Sequence, residues 1–249
     1  MALDRLHYRY PGAADDALRD VSFEFPAGQR IALLGRNGSG KSTLVLHCNG
    51  LLRPRRGTVR LDGQPVAYDR RSLLRLRRHV GVVFQNPDEQ LFSASVAEDI
   101  SLGPLNLGLS QAEVRDRVQI AAALCDIEPL LERPTHALSG GEKTRVALAG
   151  ILAMDPDILI ADEVTNSLDP WMRQQVLVIF ERLVAQAKTV MLATHDLELA
   201  RRWADRVLVM EAGRLVANGR PAQVFADPLV RSLLALDDRN AGSTHPKES

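Results

Sequence analysis

Gly35-Arg36-Asn37-Gly38-Ser39-Gly40-Lys41-Ser42-Thr43 sits between a short apolar run, Arg30-Ile31-Ala32-Leu33-Leu34, and a helical continuation, Leu44-Val45-Leu46-His47. Strand, G-x-x-x-x-G-K-S, helix is the P-loop in its required context, which sets it apart from a glycine-rich turn with an incidental lysine. The glycines let backbone N–H groups converge on a polyphosphate, and the helix N-terminus adds partial positive charge where the anion sits. The pattern assigns Gly35, Asn37, Gly38, Ser39, Gly40, Lys41, Ser42 and Thr43 to that cradle. Lys41 is expected to reach the β- and γ-phosphates, and the Ser42 hydroxyl to coordinate Mg²⁺. The stretch implies a nucleoside triphosphate site.

Composition excludes several classes. Over 249 residues, 31 lysines and arginines balance 31 aspartates and glutamates, so no global charge advertises a nucleic-acid partner. The length suits one or two domains at ~100–200 residues each. The local basic run Arg70-Arg71-Ser72-Leu73-Leu74-Arg75-Leu76-Arg77-Arg78 reads as a solvated helical face with its leucines turned inward, and a phosphate-binding patch is the minority alternative. Cys48 and Cys125 lie in apolar helical contexts, which suits a reducing cytosol rather than a disulfide framework. No apolar run approaches the ~18–20 residues of a spanning helix. Met1-Ala2-Leu3-Asp4-Arg5 lacks a signal peptide's apolar region, so any link to a membrane is expected to run through a partner.

Leu6-His7-Tyr8-Arg9-Tyr10 and Val21-Ser22-Phe23-Glu24-Phe25 alternate apolar and polar between turn signals and predict antiparallel strands. Gly57–Gly63 reads as a further strand and turn, and Val80-Gly81-Val82-Val83-Phe84 as a buried strand ending at Gln85. From about 93 to 154 the periodicity is helical. Ile158-Leu159-Ile160-Ala161 and Thr189-Val190-Met191-Leu192-Ala193 then flank a helix at roughly 171–187, the strand–helix–strand order of a parallel sheet with functional groups at its C-terminal edge. Val207–Met210 and Gly213–Val216 predict a hairpin, and beyond about Leu236 the composition becomes that of a polar tail.

A P-loop alone leaves kinases, GTPases, helicases and transport ATPases open. The strand at 158–161 delivers Asp162 and Glu163 side by side, a Walker B arrangement in which Asp162 holds the hydrated Mg²⁺ and Glu163 polarises the attacking water. Leu138-Ser139-Gly140-Gly141-Glu142-Lys143-Thr144-Arg145 opens a helix and forms a second anion site. Placed between P-loop and Walker B, it resembles the signature sequence of ATP-binding-cassette (ABC) ATPases. Further positions match the same family: Gln85 the Q-loop, Ser167-Leu168-Asp169 the D-loop, His195 in Ala193-Thr194-His195-Asp196 the switch histidine, and Tyr10 the aromatic that stacks on adenine.

The resemblance covers residues 3–230. It implies an α/β fold: a P-loop NTPase (RecA-like) core with an antiparallel β subdomain, about 1–85 and 155–230, and an inserted α-helical subdomain, about 86–154. The whole cassette would span 1–236 and the polar tail 237–249. It further implies ATP with Mg²⁺ held by Ser42, Gln85 and Asp162, and a catalytic set of Glu163, His195, Gln85 and Lys41. Two subunits would face head to tail, each ATP lying between one P-loop and the other subunit's Ser139, Gly140 and Gly141, with Asp169 alongside. A homodimer is the expected form.

Phe84-Gln85-Asn86-Pro87-Asp88-Glu89-Gln90-Leu91-Phe92, with Val96-Ala97-Glu98-Asp99-Ile100 and Gly103–Leu109, is similar to the energy-coupling-factor (ECF) group of prokaryotic importers. Leu46-His47-Cys48-Asn49-Gly50-Leu51-Leu52 and Val146–Met154 are similar to it too, and within the group the cobalt ATPases are the nearest match. That resemblance implies a subunit on the cytoplasmic face of the membrane, held by a transmembrane scaffold and working with a membrane substrate-binding component. Cobalt uptake leads, with nickel, biotin or another vitamin open. The acidic pair Asp88 and Glu89 is the expected scaffold contact, the alternative being that it caps the following helix. Two departures stand out: Val164 where the family usually has proline, and Asn166-Ser167 in place of a small pair. Glu142 replaces the commoner glutamine of the signature. A soluble ABC protein of DNA repair or ribosomes would carry coiled-coil insertions or tandem cassettes, and a P-loop kinase would leave Ser139-Gly140-Gly141 and His195 unexplained.

Overall fold

The computed structural model describes residues 1–165 and 168–235. Its centre is a six-stranded sheet of β3 (Arg30–Leu34), β6 (Val80–Val83), β7 (Ile158–Asp162), β8 (Thr189–Ala193), β9 (Arg206–Glu211) and β10 (Arg214–Gly219), in the order β10-β9-β3-β8-β7-β6. All neighbours pair in parallel except the β9–β10 hairpin. A second, antiparallel sheet holds β1 (Ala2–Tyr8), β2 (Leu18–Glu24), β4 (Arg56–Leu61) and β5 (Gln64–Pro65), in the order β2-β1-β4-β5.

The period of two explains why the central strands are apolar throughout. Side chains alternate between faces, and both faces of this sheet are covered. In β3, Ile31 and Leu33 join the core shared with the antiparallel sheet, while Ala32 and Leu34 join the one shared with the helices. β7, β8 and β9 divide in the same way: Ile158, Ile160, Met191, Ala193, Leu208 and Met210 to the first side, Leu159, Ala161, Val190, Leu192, Val207 and Val209 to the second.

Helix α1 (Lys41–Cys48) follows β3, and α2 (Arg70–His79) precedes β6. Between β6 and β7 come α3 (Val96–Asn106), α4 (Gln111–Leu124) and α5 (Gly140–Leu152), each opened by a serine in a capping box: Ser95 with Glu98, Ser110 with Glu113, Ser139 with Glu142. Helices α6 (Pro170–Ala185) and α7 (Leu197–Trp203) flank β8, and α8 (Pro221–Val224) and α9 (Pro228–Leu233) close the described chain. No helix among the described residues is long and apolar enough to cross a membrane. The tail predicted from 237 lies outside them.

Two expectations need correction. In α2 only Leu76 is fully buried, Leu73 is half-buried and Leu74 is exposed. Leu74 is two positions from Leu76, about 200° around a helix, and cannot share its inward face. Asp88 and Glu89 do not cap the following helix, because Ser95 does. They lie instead in a separate 3₁₀ turn, Pro87–Glu89, capped by Asn86.

Candidate nucleotide site

The sheet order brings scattered residues to one edge. Parallel strands β3, β8, β7 and β6 lie side by side, so their C-terminal ends present the P-loop, His195, the pair Asp162 and Glu163, and Gln85 in that order.

Three P-loop glycines have conformations or surroundings that exclude a side chain. A Cβ on Gly35 would lie 2.5 Å from both Met210 O and Ser39 Oγ, and one on Gly40 would lie 2.6 Å from Ala17 O. Gly38 has open space but a φ of 80°, where glycine is favoured. Asn37 is exposed and Ser39 buried beside it. Gly40 caps α1 without a side-chain acceptor, leaving the first-turn amides of Lys41, Ser42 and Thr43 for an incoming oxyanion.

Lys41 is buried, its Nζ donating to Gly35 O at 2.8 Å and standing 3.7 Å from Glu163 Oε1. The loop thus folds around its own ammonium. Glu163 sits at φ 55° just past β7 and donates its N–H to Ala193 O at 2.9 Å, which ties it to the end of β8 where His195 follows. Burial pushes the Asp162 carboxyl above its usual range, partly offset by a hydrogen bond from Ser42. Its Oδ1 is buried with no protein partner, as is Ser39 Oγ. Buried orphans of this kind call for a missing partner. The Ser42 hydroxyl hydrogen-bonded to Asp162 puts a serine oxygen beside a carboxylate, a hard-oxygen pair of the type Mg²⁺ takes, so these residues fit that ion.

Tyr10 is partly exposed, its hydroxyl 3.2 Å from Thr43 Oγ1. Gln85 and His195 are exposed at their strand ends. Gly140 and Ser139 are exposed at the start of α5, and a Cβ on Gly140 would meet nothing within 4 Å. Gly141 is closed off by Met172 of α6. Asp169 caps α6, accepting from Met172 N at 2.9 Å. Asn166 and Ser167 lie outside the described residues.

A model of the family described as ABC transporter matches residues 18–166. The chain is 48% identical over 225 residues to the energy-coupling factor transporter ATP-binding protein EcfA2 of Methanospirillum hungatei, covering 90% of this chain but 56% of that protein. It is 49% identical over 227 residues to the cobalt import ATP-binding protein CbiO of Rhodobacter capsulatus, covering 91% of this chain and 81% of the relative.

The chain belongs to the ABC transporter ATPases.

Its relatives place it among the energy-coupling-factor members of that family. Two solved structures show the same fold. One is cbiO1 from Clostridium perfringens, part of the ABC transporter complex cbiONQ, at TM-score 0.81 and 39% identity over 97% of this chain and 96% of that one. The other is a dimeric ATP-binding cassette in a post-hydrolysis state bound to ADP and Pi, at TM-score 0.79 and 26% identity over 88% and 98%.

Both visible departures of this ABC ATPase have physical accounts. Val164 is buried in the helical-side core, so an apolar side chain occupies the position without proline. Glu142 completes the Ser139 capping box, accepting Ser139 N at 2.7 Å, and pairs with Arg133 at 3.1 Å. The Ser139 amide holds its carboxyl below the usual range. One feature the sequence did not disclose is the pair Lys143–Asp88 at 2.6 Å, which joins the signature helix to the turn after Gln85. The partners are 55 residues apart, and no local pattern links them.

Proposed function

We infer that this chain is the ATP-hydrolysing subunit of an ECF-type importer, with cobalt as the leading cargo. The observation that carries the catalytic reading is the single sheet edge that gathers the P-loop, Asp162, Glu163 and His195. Lys41 and the α1 amides bind the β- and γ-phosphates, Tyr10 receives the adenine, and Glu163 orients and polarises the attacking water. His195 and Gln85 meet the γ-phosphate end from β8 and β6. Mg²⁺, held by Ser42 and Asp162 with Gln85, would neutralise phosphate charge. Ser139 and Gly140 are exposed at the start of α5, which suits completion of a second copy's site. ATP then closes two copies head to tail, hydrolysis reopens them, and the motion drives a transmembrane scaffold on the cytoplasmic side.

Cobalt rests on one relative, the cobalt import ATP-binding protein of Rhodobacter capsulatus. A cargo-neutral ECF role is favoured by relatives described only as energy-coupling factor proteins, and nickel or a vitamin remains compatible with it. Cargo recognition is assigned to the membrane partners; among the described residues there is no cluster of three or more His, Cys, Asp or Glu that could hold a metal ion. Exchanging this subunit for that of a related importer should therefore leave the imported cargo unchanged, read as radiometal and vitamin uptake in cells. Cargo that follows the ATPase alone would contradict the assignment.

Scaffold docking is expected at a groove of about 810 Å³ lined by Leu51, Leu73, Leu74, Phe84, Leu107 and Met154, among others. Gln90 braces one wall, accepting from Phe84 N at 2.8 Å and donating to Val82 O at 3.1 Å. Asp88, already paired with Lys143 at 2.6 Å, and Glu89 lie exposed in the turn between these bracing residues, and the pair is the proposed contact for a cationic scaffold helix. Asp88→Ala with Glu89→Ala is expected to leave ATP binding by the isolated subunit intact, while pull-down of the scaffold and uptake both fall. Normal assembly and uptake would defeat the docking assignment.

A further inference from the structure

The geometry points to His47 and Tyr8 as positioning residues that set the Tyr10 ring for the nucleobase, an assignment resting on the ATP reading above. Tyr10 meets Tyr8 edge-on, with ring centroids 5.0 Å apart and planes at 87°. Tyr8 in turn meets the His47 ring at 4.8 Å and 73°. The three rings form a relay from the exposed end of β1 to the second turn of α1.

Each member is held differently. His47 is fully buried, and its Nδ1 lies 2.7 Å from Thr43 O. A carbonyl only accepts, so Nδ1 carries the proton and the ring is fixed in one tautomer. Burial lowers its pKa and keeps the imidazole neutral, so it packs as an aromatic ring rather than as a cation. Tyr8 is half-buried against the core beneath the antiparallel sheet. Tyr10, the partly exposed end, touches the same Thr43 through its hydroxyl. Thr43 therefore anchors both ends of the relay, its carbonyl taking His47 and its hydroxyl meeting Tyr10. The orientation of Tyr10 is thus tied to the P-loop helix by two routes, one of them three rings long.

Edge-to-face ring pairs have a preferred geometry, so removing the inner ring frees the outer ones to reorient. The hydrogen bonds of Tyr10 and His47 reach the P-loop helix at Thr43. Loss of the relay should weaken recognition of the base and spare that of the triphosphate.

Steady-state hydrolysis by the purified full chain tests this, with inorganic tripolyphosphate as a competitor that lacks a base. For His47→Ala, KM for ATP is expected to rise by roughly 2- to 12-fold, the span an aromatic pair contributes, with kcat retained. The tripolyphosphate inhibition constant should not move. His47→Phe, which keeps a ring against Tyr8, should recover most of the lost affinity. Tyr8→Leu, outside α1, should reproduce the split if His47→Ala proves unstable. Adding Tyr10→Ala to His47→Ala should cost less than Tyr10→Ala costs alone. An unchanged KM, equal weakening of ATP and tripolyphosphate, or no recovery with phenylalanine would overturn the assignment. A wild-type chain that binds neither compound would sink the ATP reading itself, and this inference with it.

Discussion

Lys41→Ala is expected to lower ATP hydrolysis by on the order of 10²–10³-fold or more, toward the assay background, while the folded chain persists. Lys41 Nζ is buried, 2.8 Å from Gly35 O and 3.7 Å from Glu163 Oε1. It is the ammonium at the point where the loop, the end of β7 and the helix N-terminus converge. Truncation removes charge that grows in value as the γ-phosphoryl group departs, and it takes the Lys41 ammonium from beside Glu163. The apolar cores on either side of the sheet do not depend on this side chain. Circular dichroism and melting temperature would show the fold, and phosphate release the activity. Hydrolysis at the wild-type rate would contradict the phosphate assignment.

Glu163→Gln should cut turnover by on the order of 10²-fold or more and keep ATP binding. The carboxylate stands at a φ of 55°, a left-handed position that a non-glycine residue adopts only when its surroundings hold it there. The hydrogen bond from its amide to Ala193 O supplies part of that restraint. Glutamine preserves the shape and removes the base, so the loss falls on the chemical step. Binding measured by nucleotide titration should stay close to wild type, and a parallel loss of binding would show that Glu163 serves the loop rather than the water.

Much of the candidate nucleotide site could be proposed from sequence because its residues are adjacent in the chain and need one backbone shape. The P-loop glycines, the carboxylates ending β7 and the serine opening α5 each declare themselves within a few positions. The central strands were legible as apolar runs, since a sheet covered on both faces leaves no polar alternation to interrupt them. What failed depends on neighbours distant in sequence. Leu74 looked as apolar as Leu76, yet only Leu76 meets the core. Asp88 stood close enough to α3 to suggest a cap, but Lys143 on α5 takes its carboxylate. His47 was read only as part of the helix after the P-loop and of the Leu46–Leu52 stretch; its place under Tyr8 required the antiparallel sheet to fold over α1.

The central claim is that one copy's P-loop is completed by another copy's signature helix, whose Ser139 and Gly140 are exposed. The most direct measurement is the molar mass of Glu163→Gln by light scattering with saturating ATP and Mg²⁺. The expected result is the mass of two chains, falling to one when nucleotide is omitted. Adding Ser139→Trp should also return it to one, since bulk at that position blocks the partner's γ-phosphate. A single-chain mass under saturating ATP and Mg²⁺, or a two-chain mass indifferent to both nucleotide and Ser139→Trp, would contradict it.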